Sequence, residues 1–111
     1  MNTIDAKTLK QWQADHRSFL LLDVLNADSF AKDHIPGSVN VPLDAPDFAQ
    51  QVERLAGDKA RAIVTYCASM ECDASTRAAR QLNAAGFTDV TDFKGGLKEW
   101  NEEKARGASA A

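Results

Sequence analysis

Short apolar runs alternate with segments of helical spacing along the sequence. The runs at 19–24 and 62–66 are apolar at most positions, which is typical of strands covered on both faces of a sheet, and a last strand is predicted at 90–93. A further short strand is predicted at 39–41, after the turn Ile35-Pro36-Gly37. Helical spacing predicts a first helix capped by Thr3 or Asp5 and running to about residue 13, and further helices at 27–32, 47–55, 75–85 and through Leu97 and Trp100.

The composition fits one ordinary globular domain. The 111 residues are 44% hydrophobic and 26% charged, enough for a single core. The net charge is -3 without a cluster of Lys and Arg, so we expect neither nucleic acid nor a membrane as a partner. The sequence has no run of 18 apolar residues and no signal-peptide pattern, which predicts a cytoplasmic location. We predict one domain at 1–104 and a frayed C-terminal tail at 105–111.

Cys67 is the first candidate nucleophile. It follows the apolar run that ends at Tyr66, and a polar loop separates it from a helical segment that stops at Gly86. The N-terminus of a helix carries unpaired N–H groups and a partial positive charge, and both favour a thiolate over a thiol. In an open parallel sheet, functional loops also gather beyond the carboxyl ends of strands. The pattern therefore predicts a reactive cysteine at the end of a central strand.

Several motifs resemble the single-domain rhodanese-like family, of the thiosulfate sulfurtransferase type. They are LLLDV at 20–24, DHIPGSVNVP at 33–42, YCAS at 66–69, STRAARQLNAAGF at 75–87 and FKGGLKEW at 93–100. The resemblance spans nearly the whole chain, with the motifs in the family's order. It implies an α/β fold with an open parallel sheet of about five strands and helices on both faces. It also implies that His34 belongs to a structural turn, where we expect it to hydrogen-bond a neighbouring loop.

The resemblance implies a sulfurtransferase that holds sulfane sulfur as a persulfide on Cys67. Its substrates would be a small-molecule sulfur donor and a thiol acceptor, either a small thiol or a protein. No cofactor and no metal are expected. The backbone of the loop would cradle the persulfide, and its residues are Ala68, Ser69, Met70, Glu71, Cys72 and Asp73.

The loop departs from the family's usual pattern. Ser75, which opens the next helix, lies eight positions after Cys67, and no Arg or Lys occurs between 68 and 76. Instead the loop carries Glu71 and Asp73, and Asp73 is a candidate cap for the helix. Acids this close oppose ionisation of the thiol by about as much as the helix terminus favours it. We therefore expect Cys67 to be only moderately activated and thiosulfate, a dianion, to be a poor donor.

Cys72 has two interpretations: a second active thiol that resolves the persulfide by forming a disulfide with Cys67, or a small packing residue.

A zinc site is disfavoured because His16 and His34 lack ligand spacing. A phosphatase of related fold would need an arginine six positions after the cysteine, where Asp73 stands. Two alternatives to sulfur transfer remain open: a redox or sulfur-sensing module that uses Cys67 and Cys72, and an inactive rhodanese-like interaction domain.

Overall fold

The computed structural model describes residues 2–110, and the side chains of residues 2–107. Five parallel strands form one sheet in the order β1-β5-β4-β2-β3. In chain order the elements are β1 (Asn2–Thr3), α1 (Ala6–Ala14), β2 (Leu20–Asp23), α2 (Ala27–Lys32), β3 (Val39–Asn40), α3 (Phe48–Ala56), β4 (Ile63–Tyr66), α4 (Ala74–Ala84), β5 (Val90–Phe93) and α5 (Gly96–Ala110). The predicted fold class, an open parallel sheet with helices on both faces, is confirmed.

Helices α3 and α4 cover one face of the sheet, and α1 and α5 cover the other. Successive residues of β2 point to opposite faces: Leu20 and Leu22 pack with α3 and α4, whereas Leu21 packs with α1. On β4, Ile63 packs with α3 and α4, and Val64 packs with α1. Because both faces of the central strands are buried, their sequences are apolar at most positions.

The hydrophobic pattern does not reveal β1. This strand is two residues long, both of them exposed, and it pairs with the edge of β5 through Asn2 opposite Thr91. Of the two candidate caps for α1, Asp5 is correct, because its carboxylate accepts a hydrogen bond from the Thr8 N–H at 2.9 Å. Thr3 belongs to β1 and is wrong as a cap.

The hydroxyl of Tyr66 holds the turn that precedes β3. It accepts a hydrogen bond from the Ile35 N–H at 3.1 Å and lies 2.8 Å from the Ser38 hydroxyl. The prediction that His34 hydrogen-bonds a neighbouring loop is wrong. Its Nδ1 lies 2.8 Å from the carbonyl oxygen of Phe30, and its ring stacks on the Phe30 ring. The histidine is structural, but its contacts are with α2. The turn is thus fastened to the residue that precedes Cys67.

The last helix, α5, extends to Ala110, past the domain boundary predicted at residue 104. The division into a domain at 1–104 and a frayed tail at 105–111 stays a prediction. Among the described residues, no helix is long and apolar enough to cross a membrane.

Candidate active site

Cys67 lies directly after β4, which pairs with β2 on one side and β5 on the other. The residue is fully buried and packs in the same core cluster as the inner face of α4. Ser75 in the N-terminal turn of α4 lowers the pKa of the Cys67 thiol through its N–H and hydroxyl, and this buried hydroxyl has no hydrogen-bond partner within the described residues. That turn is anchored to β4, because the Thr65 hydroxyl donates to the Ser75 carbonyl oxygen at 3.0 Å. Strand β4 thus supplies both the cysteine and the anchor of the helix terminus.

The N-terminus of α5 determines the direction of the peptide groups after Cys67. The Leu97 N–H donates to the Cys67 carbonyl oxygen and the Lys98 N–H to that of Ala68, both at 2.9 Å. Gly96 makes this contact possible, since a Cβ atom there would overlap the Cys67 carbonyl oxygen and lie 2.9 Å from the Ala68 carbonyl carbon. Its φ of 65° also favours glycine. The two carbonyls therefore face α5.

The loop closes on itself after these two peptides. The Cys72 N–H donates to the Ser69 carbonyl oxygen at 3.1 Å. Within residues 2–110, the N–H groups of Ala68, Ser69 and Met70 have no hydrogen-bond acceptor. Free N–H groups at this position are available to an anion bound in the loop.

The pKa of the Cys67 thiol is raised above its ordinary value. The main cause is burial, which disfavours the charged thiolate, and the side chain of Cys72 raises it further. The N–H and hydroxyl of Ser75 act in the opposite direction. Moderate activation of Cys67 stays a prediction; the structure places the pKa of the thiol above its ordinary value, and burial rather than the loop acids is the main cause.

The two loop acids face solvent rather than the sulfur. Asp73 makes no side-chain cap to α4, so the predicted cap is wrong; its carboxylate lies 3.6 Å from the guanidinium of Arg77. The pKa of Glu71 is lowered by its own N–H, by the Ser69 hydroxyl and by the charge of Lys98. Each acid therefore has a cation beside it, which reduces the field it exerts on Cys67.

Cys72 is half-buried and packs against the core cluster that contains Cys67. The Cys67 thiol donates to the Cys72 carbonyl oxygen at 3.4 Å. Both cysteines are free thiols, and the resolving role of Cys72 stays a prediction. Among the described residues, no group of three or more His, Cys, Asp or Glu side chains is arranged to hold a metal ion.

A family model described as "Rhodanese-like domain" matches residues 5–103 of the chain. The chain belongs to the rhodanese-like domain family. The uncharacterized protein YqhL of Bacillus subtilis is 32% identical over 93 residues, 84% of this chain and 69% of that protein. The thiosulfate sulfurtransferase GlpE of Pseudomonas savastanoi pv. phaseolicola is 35% identical over 81 residues, 73% of this chain and 71% of that protein.

Solved structures agree with this assignment. The crystal structure of the Alr3790 protein from Anabaena sp. superposes with a TM-score of 0.78 at 30% identity, over 94% of this chain and 87% of that one. Other relatives are longer proteins, of which this chain spans 33% in one case and 25% in another. The rhodanese-like domain is thus similar to sulfurtransferases, and this similarity supports sulfur transfer in general.

The contacts of three residues around Cys67 and its loop in this rhodanese-like domain escape the sequence analysis. Ser75 is visible as the start of a helix, but not as a group that faces the sulfur. Arg77 lies one turn further along α4, where its pairing with Asp73 follows from the i,i+4 spacing once the helix boundary is known. Lys98 comes from α5, and no local pattern connects it with Glu71.

The contact between Gly96 and the loop predicts the effect of an added methyl group. Gly57→Ala is the matched control, since Gly57 also has a positive φ, 91°, but nothing within 4 Å of the added carbon. We expect Gly57→Ala to cost about 1–2 kcal/mol of unfolding free energy from backbone strain alone. Gly96→Ala should cost roughly 3 kcal/mol or more, because the clash adds to the strain. Urea unfolding measures both; equal losses would contradict the proposed docking of α5.

The raised pKa of Cys67 predicts a pH dependence. In a Cys72→Ala background, the rate of Cys67 alkylation by iodoacetamide should rise with pH through a midpoint above that of free cysteine, since only the thiolate reacts. Ser75→Ala should raise the midpoint further and lower the rate at neutral pH about three- to fivefold, because a donor to the thiolate is lost. Ser29→Ala on α2 is the control, and a Ser75→Ala variant that reacts at the control rate would contradict the role of Ser75.

Proposed function

We propose that this domain is a sulfurtransferase in which Cys67 carries sulfane sulfur as a persulfide. The observation that carries the proposal is the buried Cys67 thiol at the end of β4, faced by the N–H and hydroxyl of Ser75. A buried thiol excludes water from a persulfide, and polar groups at a helix N-terminus stabilise its charge. The similarity to sulfurtransferases supports the same reaction class. A cytoplasmic location, and the absence of nucleic-acid or membrane partners, stay predictions.

In the first step, the Cys67 thiolate attacks the outer sulfur of a donor. A bond forms between Sγ and the sulfane sulfur, the bond that held this sulfur in the donor breaks, and its electron pair leaves with the rest of the donor. The product is a persulfide anion on Cys67. The N–H groups of residues 68–70, which lack acceptors within the described chain, are the groups we propose to receive this charge.

In the second step, the sulfur atom of a thiol acceptor attacks the outer sulfur of the persulfide. The new bond joins the acceptor sulfur to the sulfane sulfur, and the bond between the two persulfide sulfurs breaks. Cys67 leaves as a thiolate, and the proton of the acceptor thiol moves from the acceptor sulfur to the transferred sulfur. Ser75 stabilises the leaving thiolate, so the contacts that activate Cys67 in the first step also assist its release in the second.

Intact mass spectrometry after exposure to polysulfide tests the proposal. Wild type and Cys72→Ala should gain sulfur, whereas Cys67→Ser should not, since a hydroxyl is far too weakly acidic to attack the donor. Circular dichroism checks that Cys67→Ser is folded. Persulfide on Cys67→Ser would contradict the assigned carrier, and an unchanged mass of the wild type would favour the inactive interaction domain.

We propose that thiosulfate is a poor donor compared with uncharged or singly charged sulfur donors. Arg77 and Lys98 near the loop each have a carboxylate beside them, Asp73 and Glu71, so their positive charge is offset and no net positive field attracts a dianion. Glu71→Lys should raise kcat/KM for thiosulfate about three- to tenfold, with a smaller gain at high salt. Glu53→Lys on the distant α3 is the control. A wild type that prefers thiosulfate, together with no gain in Glu71→Lys, would refute this electrostatic argument.

A second candidate function is a redox or sulfur-sensing module, favoured by the contact between the Cys67 thiol and the Cys72 carbonyl oxygen. In this reaction the Cys67 persulfide first takes up a proton on its outer sulfur; the Cys72 thiolate then attacks Sγ, the bond between the persulfide sulfurs breaks, and the outer sulfur leaves with that proton as hydrosulfide. A Cys67–Cys72 disulfide forms, and a reductant of the thiol class must restore the thiols.

The lifetime of the loaded persulfide distinguishes a resolving Cys72 from a packing Cys72. After removal of the donor, the persulfide of Cys72→Ala should outlast that of wild type. The gap should widen at higher pH, because the thiolate fraction of an attacking thiol rises. The wild type should also release hydrosulfide and lose two hydrogens in mass. Equal lifetimes without a disulfide would leave Cys72 as a packing residue.

A further inference from the structure

A groove of about 330 Å³ opens between the end of β2, the loop after β3 and the first turns of α4. Its volume lies in the range of small-molecule sites, which is about 300–1,000 Å³. One wall is apolar, and Asp44 and Arg77 supply charges of opposite sign. The apolar wall consists of Val24, Leu25, Leu43 and Ala74.

The groove borders the Cys67 site on two sides. The Val24 N–H donates to the carbonyl oxygen of Tyr66, the residue before Cys67, at 3.2 Å. Val24 and Cys67 also belong to the same core cluster. Across the groove, Ala74 directly precedes Ser75, whose N–H and hydroxyl face the sulfur. A small molecule held in the groove therefore lies beside the loop that we propose to hold the persulfide.

The charges of the groove are available to a ligand. Asp44 is exposed and has no hydrogen-bond or ion-pair partner within residues 2–107. The closest approach of Arg77 to Asp73 is 3.6 Å, longer than a charged hydrogen bond, so its guanidinium keeps donors for a second anion. One free carboxylate and one guanidinium on the same groove complement a ligand that carries both an ammonium group and a carboxylate.

The other cavity beside the loop fits an acceptor less well. It has a volume of about 480 Å³ and lies between the loop and α5. Five acidic and three basic residues line it, and two of its acids are already engaged: Glu99 accepts from the Ala6 N–H, and Glu103 pairs with Arg106 at 2.8 Å. Its net negative lining disfavours the carboxylates of an acceptor.

We propose that the groove binds the amino-acid group of a zwitterionic thiol acceptor, such as cysteine or a γ-glutamyl peptide thiol, with Arg77 on the carboxylate and Asp44 on the ammonium group. This inference rests on the proposed sulfur transfer and names its acceptor class. The apolar wall contacts the methylene groups of the acceptor, and the acceptor thiol points toward the loop. Transfer then follows the second step described above, with the acceptor oriented by two charged contacts.

The kinetic test uses five thiols that differ in charge: cysteine, glutathione, 3-mercaptopropionate (carboxylate only), cysteamine (ammonium only) and 2-mercaptoethanol (neutral). Arg77→Gln should raise KM about three- to fivefold for the thiols that carry a carboxylate, and leave cysteamine and 2-mercaptoethanol unchanged. Asp44→Asn should raise KM by a similar factor for the thiols that carry an ammonium group. Arg80→Gln on α4 and Asp89→Asn before β5 are the matched controls and should behave as wild type.

A uniform change in KM for all five thiols would overturn the proposal, because it would mean that Arg77 acts through Asp73 and the loop. Binding is tested separately from sulfur transfer with S-methylglutathione, which cannot accept sulfur. This probe should shift the NMR amide signals of Ala74 and Gln81, and Arg77→Gln should abolish most of the shift. A shift without sulfur transfer would support the groove and refute the proposed function; transfer without any shift would refute the groove alone.

Discussion

Two hydrogen bonds from the first turn of α5 fix the peptide groups that follow Cys67. The carbonyl oxygens of Cys67 and Ala68 point at α5, so the following N–H groups stay free of the internal partners that a loop usually finds. This arrangement exists only because Gly96 has no Cβ. The loop is therefore shaped by a helix that comes almost thirty residues later in the chain.

Burial and polar contacts act against each other at the sulfur. Burial raises the pKa of Cys67, and the N–H and hydroxyl of Ser75 only partly offset it. The cost of a buried thiolate falls when the charge moves outward, as it would in the persulfide that we propose on Cys67. A site of this kind favours the loaded form over the free thiolate, which suits a carrier of sulfur.

The loop after Cys67 lies between two regions of different charge. On the α5 side, acids outnumber bases, and several of them are already engaged. On the side of β2 and α4, the groove offers one cation and one anion above an apolar wall. The rhodanese-like fold provides both regions at the carboxyl ends of its strands, where open parallel sheets usually bind ligands. The fold alone does not select a substrate, since selection depends on these side chains.

The sequence by itself determined the fold class and the candidate nucleophile. Buried strands such as β4, the position of Cys67 after it and the glycine that ends α4 all follow from periodicity and turn chemistry, which depend on near neighbours in the chain. Only the tertiary structure revealed β1, because two exposed residues carry no hydrophobic pattern. It also decided that burial dominates the pKa of Cys67, that Ser75 faces the sulfur, and that Lys98 stands beside Glu71. Desolvation and charge pairing depend on which distant residues surround a group, and the packing of helices on the sheet sets those neighbours.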